Sequence, residues 1–308
     1  MKKKLKVAVL MGGSSSEREI SIISGREVVK NLDRNKYEIQ PVVLPNSLGI
    51  INIPKDIDVA FIAMHGPYGE DGCIQGLLEM RGIKYTGSGV SASAIGMDKF
   101  MFRKIMVADG LLIPKYIVIT KKDKNVDIKM KKLGNYPFFV KPNDQGSSVG
   151  VSIVKNKQDL KKAVKKAFVY SSKVLIDEYI KGTELTCGVV GNDNPEALPV
   201  IEIVPKNNFF DYESKYSEKG AEEIIPARIP RKVETETRDL AIRVFKSVEA
   251  RGFARVDFIL KEGKLYILEI NTIPGLTPMS LIPKEAKAVG ITYPKLLDKI
   301  IRYAIEKT

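Results

Sequence analysis

Tryptophan is missing from this 308-residue chain, histidine occurs once and cysteine twice. The two cysteines, Cys73 and Cys187, lie far apart and match no metal-binding or redox spacing. Both read as inert core residues of a reduced, cytoplasmic protein. No stretch is both long and apolar enough to span a bilayer. The start, MKKKLKVAVLMGG, has the basic residues and apolar run of a signal peptide. That run is only about six residues, short of the roughly 7–15 of a signal core, and it reads as a first buried strand. Acidic residues are outnumbered 37 to 50, leaving a net charge of +13. Such an excess can draw in an anionic substrate. It does not read as a nucleic-acid interface, because the lysines of Lys121–Lys132 and Lys155–Lys166 sit among Asp and aliphatic residues without interleaved aromatics.

What is present is concentrated in FARVDFILKEGKLYILEINTIPGLTPMS, Phe253 to Ser280. The pattern predicts a β-hairpin turning about Gly263, with Asp257 opposite Glu269 and Arg255 opposite Asn271. Those four share one face. Val256, Phe258, Leu260, Tyr266, Leu268 and Ile270 take the other and face a core. Two carboxylates and an amide oxygen are hard ligands suited to magnesium on a nucleotide phosphate. A solvated acidic face on an amphipathic hairpin is the alternative, and the hairpin alone does not decide between them.

Three blocks follow from the element pattern: 1–97, 98–181 and 182–308. In the first, strands at Lys6–Met11, Ile39–Leu44 and Val59–Met64 alternate with a helix in ISIISGREVVKNL, which predicts a parallel sheet with crossover helices. GGSSSERE and HGPYGEDG sit at carboxyl ends of strands, where such sheets bind ligands. The second block reads as a small α+β unit. It has a helix at Lys99–Ala108, strands at Tyr116–Ile119, Phe138–Lys141, Val151–Val154 and Val174–Glu178, and a helix at Gln158–Tyr170. In the third, strands Glu184–Val190 and Leu198–Val204 precede a polar loop near Lys206–Ile225 and a helix at Val233–Ala250.

Several residues carry chemistry or an ordinary structural task, and both readings stay open. KPNDQGSSVG (Lys141–Gly150) puts a lysine at a strand end before a Gly/Ser loop able to cradle phosphate, although it lacks the standard P-loop spacing. Glu17 either caps the following helix or meets a substrate ammonium. His65 is either a satisfied structural residue or a site residue at a strand end. Lys215 and Tyr216, in FFDYESKY, either pack locally or form a lid. In EYIKGTE, backbone groups can read an adenine edge and Glu184 can take ribose hydroxyls.

Taken together, GGSSSEREIS, MHGPYGEDG, YTGSG, MDK, VKPNDQGSSVGV, FFDYESKY, GFARVDFIL and LEINTIPGLTPMSL resemble, in order and over essentially the whole chain, the D-alanine–D-alanine ligase family of the ATP-grasp superfamily. The resemblance implies an α/β ATP-grasp fold of three α/β domains, with nucleotide held between the central and C-terminal ones. It implies ATP as substrate and two Mg2+ (or Mn2+) ions per site, with a monovalent cation such as K+ as a possible addition. Asp257, Glu269 and Asn271 match the metal ligands. Lys99 and Lys141 match the phosphate lysines, under a loop containing Gly146, Ser147 and Ser148. Glu178, Tyr179 and Ile180 fall in the adenine segment, with Glu184 on the ribose. Glu17, linked to Ser147 and Tyr216, would hold the first ammonium, and His65 would lie near the first carboxylate. Lys215, Ser280 and the Leu281 backbone would receive the second carboxylate. Arg255 and the Gly275 N–H match the oxyanion site. Phe210 departs from the tyrosine some relatives carry, and Pro278 and Met279 stand at variable positions.

The implied product is D-alanyl-D-alanine, made through D-alanyl phosphate for peptidoglycan precursors. Because Tyr216 is present, an amide rather than an ester is expected. The implied partners are D-alanine, ATP and a second copy of the chain joined through the first domain, with no nucleic acid and no membrane. Two rivals are weighed. Another ATP-grasp ligase would not need Glu17, Lys215, Tyr216 and Ser280 together. A basic nucleic-acid binder would be repelled by the converging acids.

Overall fold

The computed structural model describes residues 3–47, 52–123, 126–205 and 221–306. Lys215, Tyr216 and Phe210 lie outside the described residues. The first sheet is built from β1 (Leu5–Gly12), β2 (Tyr37–Leu44), β3 (Val59–Ile62) and β4 (Lys84–Tyr85), ordered β2-β1-β3-β4 and parallel throughout. Helices α1 (Arg18–Asn31), α2 (Cys73–Met80) and α3 (Val90–Met97) belong to the same stretch of chain. β1 is apolar on both faces because both are covered. Ala8 and Leu10 pack with Ile74 and Leu78 of α2, while Val7, Val9 and Met11 face Val28 of α1.

α4 (Lys99–Ala108) follows, with the Asp98 carboxylate accepting from the Met101 N–H at 2.9 Å. That cap starts the helix at Lys99 and so sets where its side chain points. The second sheet, β5 (Tyr116–Thr120), β6 (Phe138–Pro142), β7 (Ser152–Val154) and β8 (Lys173–Glu178), runs in the order β5-β8-β6-β7 and is antiparallel. It is accompanied by α5 (Val126–Met130) and by α6 (Lys157–Ala167), which ends before the expected Tyr170.

The third sheet has six strands. Its path is β12-β11-β9-β13-β14, from β9 (Thr183–Gly191), β11 (Ile201–Pro205), β12 (Ala221–Ile224), β13 (Gly252–Lys261) and β14 (Lys264–Asn271); β10 (Glu196–Ala197) pairs with β9. β12 is an edge strand within the stretch expected as loop, because Ala221–Ile224 pairs antiparallel with β11. Helices α7 (Arg231–Ser247), α8 (Leu281–Ala288) and α9 (Tyr293–Ile305) complete the chain.

Core packing ties these blocks together. Phe102 and Met106 of α4 enter the core of the third sheet, beside Leu185, Val256 and Phe258. Leu297, Ile300 and Ile301 of α9 pack under the first sheet with Val7, Val9 and Phe61. Elements far apart in sequence thus share apolar cores.

One expectation about the cysteines is corrected. Cys187 is buried, but Cys73 is exposed. It opens α2 on the solvent side, just after Gly72, which holds a left-handed φ of 94°. Partial burial and the Asp71 carboxylate push its thiol up to about 11, so it stays a poor nucleophile without being a core residue.

Candidate functional site

The β13–β14 hairpin bears the expected acids, but by a different route. The turn is the pair Glu262-Gly263, both with positive φ (50° and 74°), between the register partners Lys261 and Lys264. Two left-handed central residues define a tight type I′ hairpin, so the turn is centred between these residues, not on Gly263. Followed straight, that register would put Leu268 opposite Asp257. A β-bulge intervenes: Phe258 pairs with Ile267 and Asp257 with Glu269, leaving Leu268 extra. The bulge turns over every later side chain of β14. Leu265 and Ile267 therefore fill the core positions expected of Tyr266 and Leu268, which are only partly buried. Beyond the bulge, Asp257–Glu269 and Arg255–Asn271 are paired as the alternation predicts.

β9 lies on the other side of β13, with Thr186 opposite Asp257 and Gly188 opposite Arg255. Residues directly across an antiparallel pair share a face, so Glu184, Thr186 and Gly188 join the acidic face. Arg255 donates from Nε and Nη2 to the two Asp257 oxygens at 2.8 and 2.7 Å. The Thr186 hydroxyl donates to Asp257 Oδ1 at 2.6 Å. Glu269 faces the Lys99 ammonium at 3.4 Å. Asn271 Oδ1 accepts from the Ile273 N–H at 3.0 Å and is held in place.

Among the described residues no group of three or more His, Cys, Asp or Glu side chains is gathered for a metal. Asp257, Glu269 and Asn271 still make a donor set of hard oxygens. Each carboxylate already faces a cationic side chain, so this face can accommodate positive charge. That chemistry fits a magnesium- or manganese-type ion.

Lys99 has a second partner: its ammonium donates to the Gln145 carbonyl at 2.8 Å. It thereby joins the hairpin to the loop after β6. In that loop Ser147 and Ser148 hold φ of 46° and 60°, a conformation uncommon outside glycine, and Gly150 follows at 71°. Lys141, at the end of β6, is buried and donates to Asp177 Oδ2 at 2.9 Å. Asp177 is also gripped by both arms of the fully buried Arg103 guanidinium, at 2.9 and 2.8 Å. Burial lowers the Lys141 pKa despite the carboxylate beside it, with the Arg103 charge pushing the same way. Lys99 and Arg103 are four residues apart on α4 and share one face.

Glu17 does not cap α1 with its side chain. The Ser147 hydroxyl, from the loop after β6, donates to Glu17 Oε1 instead. A Cβ on Gly66 or Gly146 would stand 2.8 or 3.1 Å from Glu17 Oε2, so only glycine leaves the carboxylate room there without displacement. Ser15 completes the turn, donating to the His65 carbonyl at 2.7 Å and accepting from the Glu17 N–H at 3.0 Å. His65 is buried between the Ser24 hydroxyl (3.1 Å) and the Glu70 carboxylate (3.3 Å). Burial works to lower its pKa, but the Glu70 hydrogen bond and the charges of Glu70 and Glu17 outweigh it, and the pKa is raised. The imidazole therefore keeps its proton to higher pH than a free histidine.

After β14 the chain turns back. A Cβ on Gly275 would lie 2.9 Å from Ser280 Oγ, so the two approach closely. Ser280 Oγ accepts from the Thr277 N–H at 3.1 Å and meets the Thr277 hydroxyl at 2.9 Å. Leu281 then opens α8, where backbone N–H groups are unpaired by the helix itself. At the end of β8, the Glu178 N–H donates to the Lys115 carbonyl and the Tyr179 N–H to the Pro137 carbonyl, at 2.9 and 3.3 Å. The Glu178 carboxylate accepts from the Lys115 N–H at 2.8 Å. Ile180 follows at the turn into β9, which carries Glu184.

The sequence reading missed Thr186, Arg103, Asp177, Ser24, Glu70 and Glu285. Arg103 had a signal in its four-residue spacing from Lys99. Glu70 is local, five residues from His65 and four from Gly66 in the same loop, whereas the others meet their partners only through tertiary pairing. Glu285 is fully buried on α8, with Oε1 accepting from the Gly188 N–H at 2.9 Å. Burial pushes its carboxyl up to about 8, helped by the Asp257 and Glu223 charges and opposed by the Gly188 bond and Arg255. The neutral form's contribution to stability is complete below the ordinary value of 4.5 and is lost as pH rises through about 8. Glu285→Gln is therefore expected to match the parent in urea melts at pH 5 and to exceed it at pH 9, by on the order of 3–5 kcal/mol. An equal difference at both pH values would refute the assignment.

Comparison with known proteins follows the same order along the chain. A family model described as the D-ala D-ala ligase N-terminus matches residues 6–50 and 48–88, and one described as the D-ala D-ala ligase C-terminus matches residues 105–302. A D-alanine–D-alanine ligase of Desulforudis audaxviator is 44% identical over 303 residues, covering 98% of this chain and 99% of that protein. The crystal structure of a Bacillus anthracis D-alanine–D-alanine ligase complexed with ATP is similar at a TM-score of 0.87 and 39% identity, over 98% of this chain and 97% of that one. The VanG D-Ala:D-Ser ligase of Enterococcus faecalis is similar at a TM-score of 0.88 and 30% identity, over 98% and 100%.

Proposed function

The chain belongs to the D-alanine–D-alanine ligase family, and from that premise we propose that the cleft between its second and third sheets joins two D-alanines at the expense of ATP. The observation that carries this reading is Lys99, whose one ammonium touches both the phosphate-loop carbonyl of Gln145 and the hairpin carboxylate Glu269. A lysine shared by a Gly/Ser loop and an acidic face is placed for a triphosphate lying between them.

The reaction needs an activated carboxyl group, because a carboxylate cannot expel oxide. The γ-phosphoryl group passes from ATP to the carboxylate of the first D-alanine, giving D-alanyl phosphate and ADP. The amine of the second D-alanine then attacks the acyl carbon, and the tetrahedral intermediate expels phosphate to leave the amide. Lys99 and Lys141 offset charge on the phosphates while the loop of Gly146, Ser147 and Ser148 covers them. Asp257, Glu269 and Asn271 would hold the divalent ion or ions, magnesium or manganese, which neutralise phosphate charge when bound. Glu17, braced by Ser147, holds the first ammonium, and His65 lies near the first carboxylate. Arg255 and the Gly275 N–H stabilise the oxyanion. Ser280 and the N–H of Leu281 receive the second carboxylate at the start of α8. Glu178, Tyr179 and Ile180 frame the adenine, through groups other than the two N–H donors already engaged, and Glu184 takes the ribose. Lys215 and Tyr216 enter this reading through the family resemblance alone.

The proposal extends to a cytoplasmic homodimer supplying peptidoglycan precursors, divided near residues 97 and 181, with K+ as an optional activator. No helix among the described residues is long and apolar enough to cross a membrane. The test is direct. Protein, ATP, magnesium and D-alanine are expected to yield ADP, phosphate and D-alanyl-D-alanine, with D-alanine preferred over D-lactate and D-serine as acceptor at neutral pH. Preference for D-lactate would overturn the amide assignment, and ATP turnover without any dipeptide would overturn the reaction.

A further inference from the structure

A cation bound by Asp257 competes with Arg255 for the charge of the same carboxylate. The Asp257 carboxylate receives the Arg255 fork on both oxygens and the Thr186 hydroxyl on one. A divalent ion on the remaining Oδ2 lone pair draws charge from that fork and repels the guanidinium, which loosens its hold. The Arg255 side chain is largely buried, with 13% exposed. Its released N–H groups then need another acceptor, because an unpaired buried cation is strongly disfavoured.

An acceptor stands across the strand. Gly188 is the register partner of Arg255 on β9 and has no side chain to fill its place on the shared face. The Glu285 carboxyl fills it from α8. A Cβ on Gly188 would lie 2.4 Å from Glu285 Oε2, so this oxygen occupies the spot where a cross-strand side chain would begin. Oε1 is engaged by the Gly188 N–H, whereas Oε2 is buried without a hydrogen-bond partner among the described residues. Buried acceptors are almost always satisfied, so an unsatisfied one beside a guanidinium marks a contact not yet made.

We propose that Glu285 is a positioning residue for Arg255: its unpartnered Oε2 takes over the guanidinium when Asp257 turns to the divalent ion. This rests on the reading of Asp257 as a metal ligand. Arg255 would then stay at the reacting carbonyl instead of following Asp257. Glu285 meets the guanidinium as a carboxylate, its proton passing to solvent as the ion binds, and so supplies the counter-charge from the other side. Gly188 is required because any side chain there would displace Oε2.

Mn2+ binding in the presence of a non-hydrolysable ATP analogue, followed by electron paramagnetic resonance, tests this without turnover. Glu285→Gln keeps the Gly188 contact and removes the counter-charge. It is expected to weaken Mn2+ about tenfold and to lower kcat about tenfold, with KM for D-alanine within twofold. Gly188→Ala, which moves the carboxyl without changing charge, should reproduce the loss of Mn2+ affinity. Asp257→Asn tests the underlying reading and should weaken Mn2+ more than either. Parent-like Mn2+ affinity in a folded Glu285→Gln protein, with Asp257→Asn impaired, overturns the inference and leaves the reading standing. Parent-like affinity in Asp257→Asn overturns both.

Discussion

Asp177→Ala is expected to destabilise the protein by about 3–5 kcal/mol, measured by urea unfolding at neutral pH. Asp177 is the shared anion of two buried cations: Arg103, with no exposed surface, and Lys141, at 7%. Removing it leaves both without a counter-ion where water cannot replace it. The net charge of the trio also matters. Arg103 cancels Asp177, so the charge of Lys141 remains available to a phosphate. Without Asp177, the Lys141 pKa, already lowered by burial, falls further. Nucleotide affinity should fall along with stability. A second variant separates the two effects. Asp177→Leu combined with Arg103→Met is expected to recover the part of the lost stability that unpaired Arg103 costs, because an apolar pair replaces a broken ionic one. It should not recover nucleotide affinity, because Lys141 still lacks its anion. If Asp177→Ala alone unfolds within 1 kcal/mol of the parent, about the value of an exposed pair, the trio is not a buried structural unit.

Arg255→Ala is expected to lower kcat for dipeptide formation by about 10²–10³-fold, the loss typical for one preset oxyanion donor. The side chain stands on the hairpin face with Asp257, Glu269 and Asn271, two register positions from the bulge. Measuring ADP and dipeptide separately locates the defect. Loss of the dipeptide with ADP still released would place Arg255 at the acyl-transfer step. Equal loss of both would place it at phosphoryl transfer. A fall of less than tenfold, with normal unfolding behaviour, would remove Arg255 from the chemistry. Arg255→Lys should rescue little, because an ammonium cannot present the fork that Asp257 accepts.

The hairpin shows how far pattern reading reaches. Alternation paired Asp257 with Glu269 and Arg255 with Asn271, as the structure does. It did so through two compensating errors. The turn lies half a residue from the expected centre, and the bulge at Leu268 restores the register. Nothing in LYILEIN announces a bulge, because apolar residues stand on both sides of it. Hence Tyr266 and Leu268 were placed in the core that Leu265 and Ile267 occupy. The helix expected from Lys99 fared better, since Asp98 before it caps it locally, whereas the cap weighed for Glu17 is not made by its side chain. Cys73 was misplaced for the opposite reason. A free cysteine is usually buried, and local sequence does not say which side of α2 faces water.

The sequence by itself determined the strand–helix order, the acid-bearing hairpin, the lysine before the Gly/Ser loop and, through ordered motifs, the family. These depend on side-chain periodicity and on groups close together along the chain. Only the tertiary structure decided which distant groups meet. Ser147 reaches Glu17, Arg103 and Lys141 share Asp177, and Glu285 occupies the space left by Gly188. Such pairings depend on how helices and sheets dock, a balance of many apolar contacts spread over the whole chain, so no short stretch of residues can encode them.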